Sequence, residues 1–292
     1  MRPAALRHGR QWPLAATRPD WGRRDVLAAL GAFAALPASL GAIVSVGATS
    51  AAAAATPVAT VAAASTLKFA LETIAADFER QTGHRLRLVF GSSGQFFTQI
   101  RQGAPFHLFM SADEDFVLRL SDEDRTLDRG QLYAVGRIGL FVPNGSPLRP
   151  DGQLKDLAAA LADGRLQRLA IANPAHAPYG ARAREALTHA GLWPAIEPRL
   201  VIGENISQAA QFASTGSAQG GIISLSLAMA PALATLGRFE LIPAHFHKPL
   251  VQRMVLLKGA PPAAVAFYAY LAQPQAQEVM ARFGFTRPAG AR

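Results

Sequence analysis

From residue 58 onward the sequence alternates between short apolar runs and longer stretches with apolar residues at helical spacing. This is the pattern of parallel strands covered by helices. Residues 58–63 read as a strand. Leu71, Ile74 and Phe78 then lie on one helical face, and Gly83 stops the helix. Leu86, Leu88 and Phe90 alternate as one face of a second strand. A helix follows from about Ser93, carries Phe96, Phe97 and Ile100 and ends at Gly103, and 106–110 reads as a buried strand. The alternation resumes with strands at 169–172, 200–202 and 221–225 and helices at 179–190 and 206–215. Two terminal helices, near 261–271 and 274–283, each open with a proline, which suits a first turn whose N–H has no partner anyway. The expected fold class is α/β, with a second α/β lobe.

The start of the chain follows another rule. Residues 1–25 hold six arginines and two aspartates, whereas 26–67 carry no charged side chain. A basic segment, an apolar stretch over 26–46 and small residues around Val46-Gly47-Ala48 and 51–55 form the order of an export signal with its cleavage region. Arg23-Arg24-Asp25-Val26-Leu27 fits a loose twin-arginine pattern. The alternative is a retained membrane anchor, for which about 20 residues suffice, but Pro37 and the scattered Gly and Ser weaken it. Residues 1–55 are therefore expected to be removed on export to the periplasm.

Removal would leave 23 basic against 18 acidic side chains, a net of +5, from the 29 and 20 of the full chain. The remaining charge is spread without a Lys/Arg block or interleaved aromatics, so nucleic acid is not an expected partner. The chain has no cysteine, hence neither disulfides nor thiolate metal sites. Half of its 292 residues are apolar, enough for a large core without staples.

Four loops share one design, in which small, polar or glycine residues lie between a strand end and a helix start. They are 62–66, 90–94, 173–180 and 203–206. Backbone N–H groups at helix starts attract anions, and Ser or Thr hydroxyls add donors. Taken singly, each such Ser, Thr or Asn is an ordinary N-cap. Four together at strand ends, where open α/β sheets bind ligands, point to a site.

Other chemistries fail on spacing. Gln95 stands where a nucleophile elbow requires its second glycine after Ser93. No phosphate-loop or His-Glu-x-x-His pattern occurs. His245 and His247 would need a third ligand to hold a metal. The acidic residues at 113–115 and 122–124 lack calcium-loop spacing and read as a solvated helix start. His176 with Ser93 and Asp113 is the one trio that could be assembled for an exported hydrolase.

These loops carry a resemblance to the periplasmic molybdate-binding proteins of ATP-driven (ABC-type) uptake transporters, over nearly all of the chain after Thr56. Its most specific stretches are Phe90-Gly-Ser-Ser-Gly-Gln-Phe-Phe-Thr-Gln-Ile-Arg-Gln-Gly-Ala-Pro-Phe106, Leu108-Phe-Met-Ser-Ala-Asp113 and Ile171-Ala-Asn-Pro-Ala-His-Ala-Pro-Tyr-Gly180. Gly203-Glu-Asn-Ile206 and Gly220-Gly-Ile-Ile-Ser-Leu-Ser226 add two more in order. The resemblance implies a two-lobed periplasmic-binding-protein fold with two hinge crossovers, near 133–139 and 243–248. Lobe 1 would comprise 56–137 plus 247–292, with the last helices returning to it, and lobe 2 would comprise 138–246. It implies oxyanion contacts at Ser65, with Thr66 beside it, at Ser93, at Tyr179 and at Ile206 through its backbone, with Ser92 as a second choice. The only metal expected is the one at the centre of the oxyanion, held through these same residues, and no resident cofactor is expected. Some members place a ligand-binding tyrosine where this chain has Ser224; the branch with Tyr179 in the Ala-Pro-Tyr-Gly loop is the one it resembles.

The residues support that implication independently. A fully deprotonated dianion offers only acceptors, so hydroxyl and N–H donors satisfy it without a protein charge. Selectivity of molybdate and tungstate over the smaller sulfate must then come from cavity size. The expected partners are the oxyanion and the membrane subunits of an ABC transporter, and the family implies a monomer. Binders of sulfate, phosphate or another small anion fit the loops as well; a phosphate binder would favour an Asp in them, and none of the four contains one.

Overall fold

The computed structural model describes residues 58–286; the segment read as an export signal, its twin-arginine pattern and the anchor alternative lie outside the described residues. Among the described residues no helix is long and apolar enough to cross a membrane.

Small apolar residues make the first strand, β1 (Ala59–Ala64), and side-chain alternation sends them to two different cores. Val61 and Ala63 face one side with Leu108 and Met110 of β3 (Leu108–Ser111), while Ala62 faces the other with Phe109. β2 (Leu86–Gly91) is the edge strand beside β1, reached through helix α1 (Lys68–Thr82), which Gly83 ends at φ 71° in the left-handed region open to glycine. Helices α2 (Ser93–Arg101) and α3 (Glu114–Asp122) cover the Phe109 face. Of the acidic groups, 113–115 is a helix start, the Asp113 carboxylate accepting from the Asp115 N–H at 3.1 Å, whereas 122–124 lies at the C-terminal end of the same helix, α3.

After β4 (Gln131–Gly136) only Arg137 separates the first sheet from β5 (Ile138–Pro143) of the second. The second unit continues through α4 (Lys155–Ala162), β6 (Leu169–Ala172), α5 (Pro178–His189), α6 (Trp193–Ile196), β7 (Leu200–Gly203), α7 (Ile206–Ser214), β8 (Gly220–Ser224), α8 (Leu225–Ala228), α9 (Pro231–Ala234) and β9 (Gly237–Leu241). A turn at Ala244–Phe246 leads back to β10 (Leu250–Leu256) in the first sheet. Helices α10 (Pro262–Tyr270) and α11 (Pro274–Arg282) pack on the Val61 face, where Phe78 of α1 lies 5.0 Å from Phe267 and 5.4 Å from Tyr270, centroid to centroid.

The strand orders are β2-β1-β3-β10-β4 and β7-β6-β8-β5-β9. The two sheets follow one plan. Three parallel strands come first, and the fourth strand in each row, β10 or β5, pairs antiparallel on both sides. This is the expected two-lobed α/β fold. The chain passes between the sheets twice, at Arg137 and again between β9 and β10.

Candidate functional site

Four parallel strands end facing one place. β1 runs into a 3-10 turn, Ser65–Leu67, β2 into α2, β6 into α5 and β7 into α7. Between them lies a small cavity, lined by Ser65, Ser92, Ser93, Tyr179 and Ile206 together with small apolar residues. Among its lining residues there is no carboxylate and no ammonium or guanidinium group. Five of the six positions expected from the sequence thus come together.

The hydrogen bonds show which groups still have hydrogens to give. Ser93 is wholly buried, and its Oγ accepts from the Ala112 N–H at 3.0 Å, which leaves its hydroxyl hydrogen available. Ser65 Oγ accepts from the Ser207 N–H at 3.3 Å with the same consequence. At α7 the Asn205 side chain caps the N–H groups of Ser207 and Gln208, at 3.0 and 3.1 Å. The first N–H of that helix, on Ile206, is the one the cap does not take. Ser92 is occupied differently, because its Oγ accepts from the Gln95 N–H at 3.3 Å and pairs with His176 Nδ1 at 2.8 Å. It is an N-cap and a contact between lobes.

Thr66 lies behind the cavity. Its hydroxyl is 2.7 Å from Ser226 Oγ, which also lies within donating distance of the Thr66 carbonyl at 2.9 Å. Ser224 sits in the same buried group, capping α8 through the Leu227 N–H at 3.3 Å and lying 3.1 Å from Ser226 Oγ. It does not line the cavity. The Tyr179 hydroxyl accepts from Gln252 Nε2 at 2.9 Å, with Thr66 beside it. Burial pushes this phenol up to about 12, against the opposing effect of Thr66 and Gln252, so it keeps its hydrogen at neutral pH. Burial, and next the neighbouring Tyr179, raise Tyr133 as well, and Tyr133 donates to the Ser111 carbonyl at 3.0 Å.

The lobes touch around the cavity. The Gly94 N–H donates to the His176 carbonyl at 2.9 Å, Ser207 Oγ to the Ser65 carbonyl at 2.9 Å, and Gln95 Nε2 to Glu204 at 2.8 Å. A side chain at Gly94 would run into the His176 backbone, its Cβ lying 2.5 Å from the carbonyl oxygen. Asp113 and Arg182 pair across the cleft at 3.6 Å, and burial raises the Asp113 carboxyl.

The trio for an exported hydrolase does not assemble: His176 bonds Ser92 rather than Ser93 and lies 3.5 Å from Glu204, while Asp113 is engaged by Asp115 and Arg182. His245 and His247 do not pair either. His245 is exposed, its ring 5.7 Å from that of His189, whereas His247 is buried with Nδ1 donating to the Lys248 carbonyl at 2.7 Å. Among the described residues no group of three or more His, Cys, Asp or Glu could hold a metal ion.

The profile of a family described as bacterial extracellular solute-binding protein matches residues 59–286. The chain is 37% identical over 254 residues to the molybdate-binding protein ModA of Rhodobacter capsulatus, covering 86% of this chain and 90% of that one. It is also 37% identical over 227 residues to ModA of Azotobacter vinelandii, covering 77% and 88%. Among solved structures, the periplasmic molybdate-binding protein of Azotobacter vinelandii superposes with a TM-score of 0.70 at 30% identity, over 79% of this chain and 99% of that one. A cleft between two α/β lobes, four helix starts around a donor-lined cavity and these likenesses agree: the chain belongs to the bacterial extracellular solute-binding protein family.

Proposed function

We propose that the protein binds molybdate, and tungstate with it, in the cavity between its lobes outside the cytoplasm, and delivers it to the membrane subunits of an ABC-type transporter. The observation that carries this reading is the composition of the cavity wall, which offers hydroxyl and N–H donors and no carboxylate. Such a wall suits an anion with no proton of its own to donate. Two relatives at 37% identity carry the name molybdate-binding protein. Ser65, Ser93, Tyr179 and Ile206 are the proposed direct contacts. Ser92 and Thr66 hold the lobes and loops around them.

About six donors, each contributing roughly 1.5–3 kcal/mol in charge-assisted bonds, offset association costs of about 4–15 kcal/mol and leave nanomolar to micromolar affinity in reach. No covalent chemistry is part of the proposal. The two chain crossings serve as the hinge. The N-terminal segment directs export, with Arg23-Arg24 as its twin-arginine element.

Titration calorimetry of the exported protein with molybdate, tungstate, sulfate and phosphate tests the reading. One-to-one binding of the first two, at least tenfold tighter than of the others, is expected. No heat with molybdate or tungstate overturns it, and a preference for sulfate or phosphate reassigns the cavity to that anion.

A further inference from the structure

Two residues from each lobe close a ring of contacts at the rim of the cavity. Ser92 and Gln95 stand at the start of α2 in the first lobe, and His176 and Glu204 lie on two loops of the second. The Gln95 N–H donates to Ser92 Oγ at 3.3 Å, and Ser92 Oγ lies 2.8 Å from His176 Nδ1. His176 Nε2 lies 3.5 Å from Glu204 Oε2, and that same carboxylate oxygen accepts from Gln95 Nε2 at 2.8 Å. The ring crosses the lobe boundary twice. An ionised carboxylate only accepts, and a neutral imidazole has one donor and one acceptor nitrogen. Glu204 therefore favours the hydrogen on Nε2, which leaves Nδ1 to accept the Ser92 hydroxyl hydrogen.

Both halves of the ring are held before they meet. In the second lobe the Asn173 N–H donates to the Gly203 carbonyl at 2.7 Å and ties the two loops together, while the Asn173 carboxamide takes the Ala175 N–H at 3.0 Å. In the first lobe α2 itself fixes Ser92 and Gln95. Exposure rises outward in one order, from Ser93 at 0% and Ser92 at 3% to the side chains of His176 at 23% and Glu204 at 62%. The ring thus stands between cavity and solvent, with Ser92 on one wall of the cavity and Ala177, next to His176, on the other. We infer that His176 is the clasp of the closed form: as a positioning residue it fastens the start of α2 to the second lobe and sets how long the bound anion stays, without touching the anion. The inference rests on the proposed reading of the cavity. Its effect lies in dissociation, because contacts between the lobes form as they close and must break before the anion leaves. Glu204, largely in solvent, adds little attraction of its own and serves to orient the imidazole.

Chasing radiolabelled molybdate with excess unlabelled molybdate gives the dissociation rate and uptake of the label gives the association rate, with thermal unfolding in the absence of molybdate as the folding control. His176→Ala is expected to release the label about 3- to 5-fold faster, the worth of one neutral hydrogen bond, while taking it up within about 2-fold of the parent rate. The double variant with Ser92→Ala should release no faster than His176→Ala alone. Asparagine carries its amide where the imidazole carries Nδ1, so His176→Asn should regain most of the slow release. His176→Gln, whose amide lies one bond further out and misses Ser92, should release as His176→Ala does, and the Asn and Gln pair carries the test if alanine fails to fold. An unchanged release rate, a loss confined to association, or equal release from the Asn and Gln variants overturns the inference. If Ser93→Ala weakens binding while the His176 variants release at the parent rate, the cavity reading stands and the clasp falls. If Ser93→Ala is silent as well, the cavity reading falls and takes this inference with it.

Discussion

At the scale of single residues, the two neighbouring serines at the start of α2 do different work despite sharing a loop. Ser93 has a hydroxyl hydrogen to give and Ser92 has its hydroxyl occupied on both sides. Ser93→Ala should weaken molybdate binding by about 10- to 100-fold. It should also cost about 1–3 kcal/mol of folding stability, since the buried Ala112 N–H loses its acceptor. Ser92→Ala should cost about 1 kcal/mol as a lost N-cap, with a much smaller effect on affinity. Calorimetry and urea unfolding of the two variants separate these outcomes; equal affinity losses would contradict the division of labour. Tyr179 and Ile206 came from the family resemblance, and the structure places each in the first turn of a helix beside the cavity. The contact of Gln252 with Tyr179 was not legible in the sequence, because it joins residues 73 positions apart. Thr66 stands apart from the other five, outside the cavity lining. The resemblance placed it beside Ser65, and in the structure its hydroxyl pairs with Ser226, 160 positions away, a contact that sequence spacing does not reveal.

Among the elements, those with strong periodicity or clear end signals were the readable ones. α5, α7, α10 and α11 fall within a residue or two of their expected bounds, with prolines at the first turn of α10 and α11, and α1 ends at Gly83 as expected. β10 was missed because Gln252 and Arg253 interrupt its apolar run, and β4 and β5 because Arg137 alone separates them, so that the stretch shows no turn signal. The approach of α2 to the loop before α5 carries its own prediction. Gly94 allows its N–H to reach the His176 carbonyl, and Ala at this position would improve helix propensity while forcing the lobes apart. Gly94→Ala should therefore fold as well as the parent but bind molybdate at least about 10-fold more weakly, with less compaction on binding by small-angle X-ray scattering. Unchanged affinity and compaction would show that this contact does not govern closure.

For the whole molecule, buried His247 and half-buried His107 set a dependence on acidity. Burial lowers His247, and among the charged groups around it Arg182 and Arg137 push the same way while Glu185 opposes them. Burial also lowers His107, whose Nδ1 accepts from the Thr60 N–H at 2.9 Å and so must stay unprotonated there. In the unfolded chain both titrate near about 6.5. Below that pH the unfolded chain binds protons that the folded one refuses, so stability falls with falling pH until the lower folded values are reached. Asp113, raised by burial, acts in the opposite sense at more acidic pH. The thermal midpoint should drop between about pH 7 and pH 5, and His247→Gln should flatten that slope. A parent and variant with superimposable pH profiles would remove His247 from this account.

The strand order also sets a timetable for synthesis. All five strands of the second sheet lie between Ile138 and Leu241, so a growing chain can finish that sheet before its C-terminal part exists. The first sheet cannot close then, because β10, the strand that sits between β3 and β4, begins only at Leu250. Until it arrives, β3 and β4 each expose an unpaired edge, the kind of surface that chaperones hold and that aggregation exploits. The lobe that starts first is thus completed last, and the strand that completes it is the one that carries Gln252 to Tyr179.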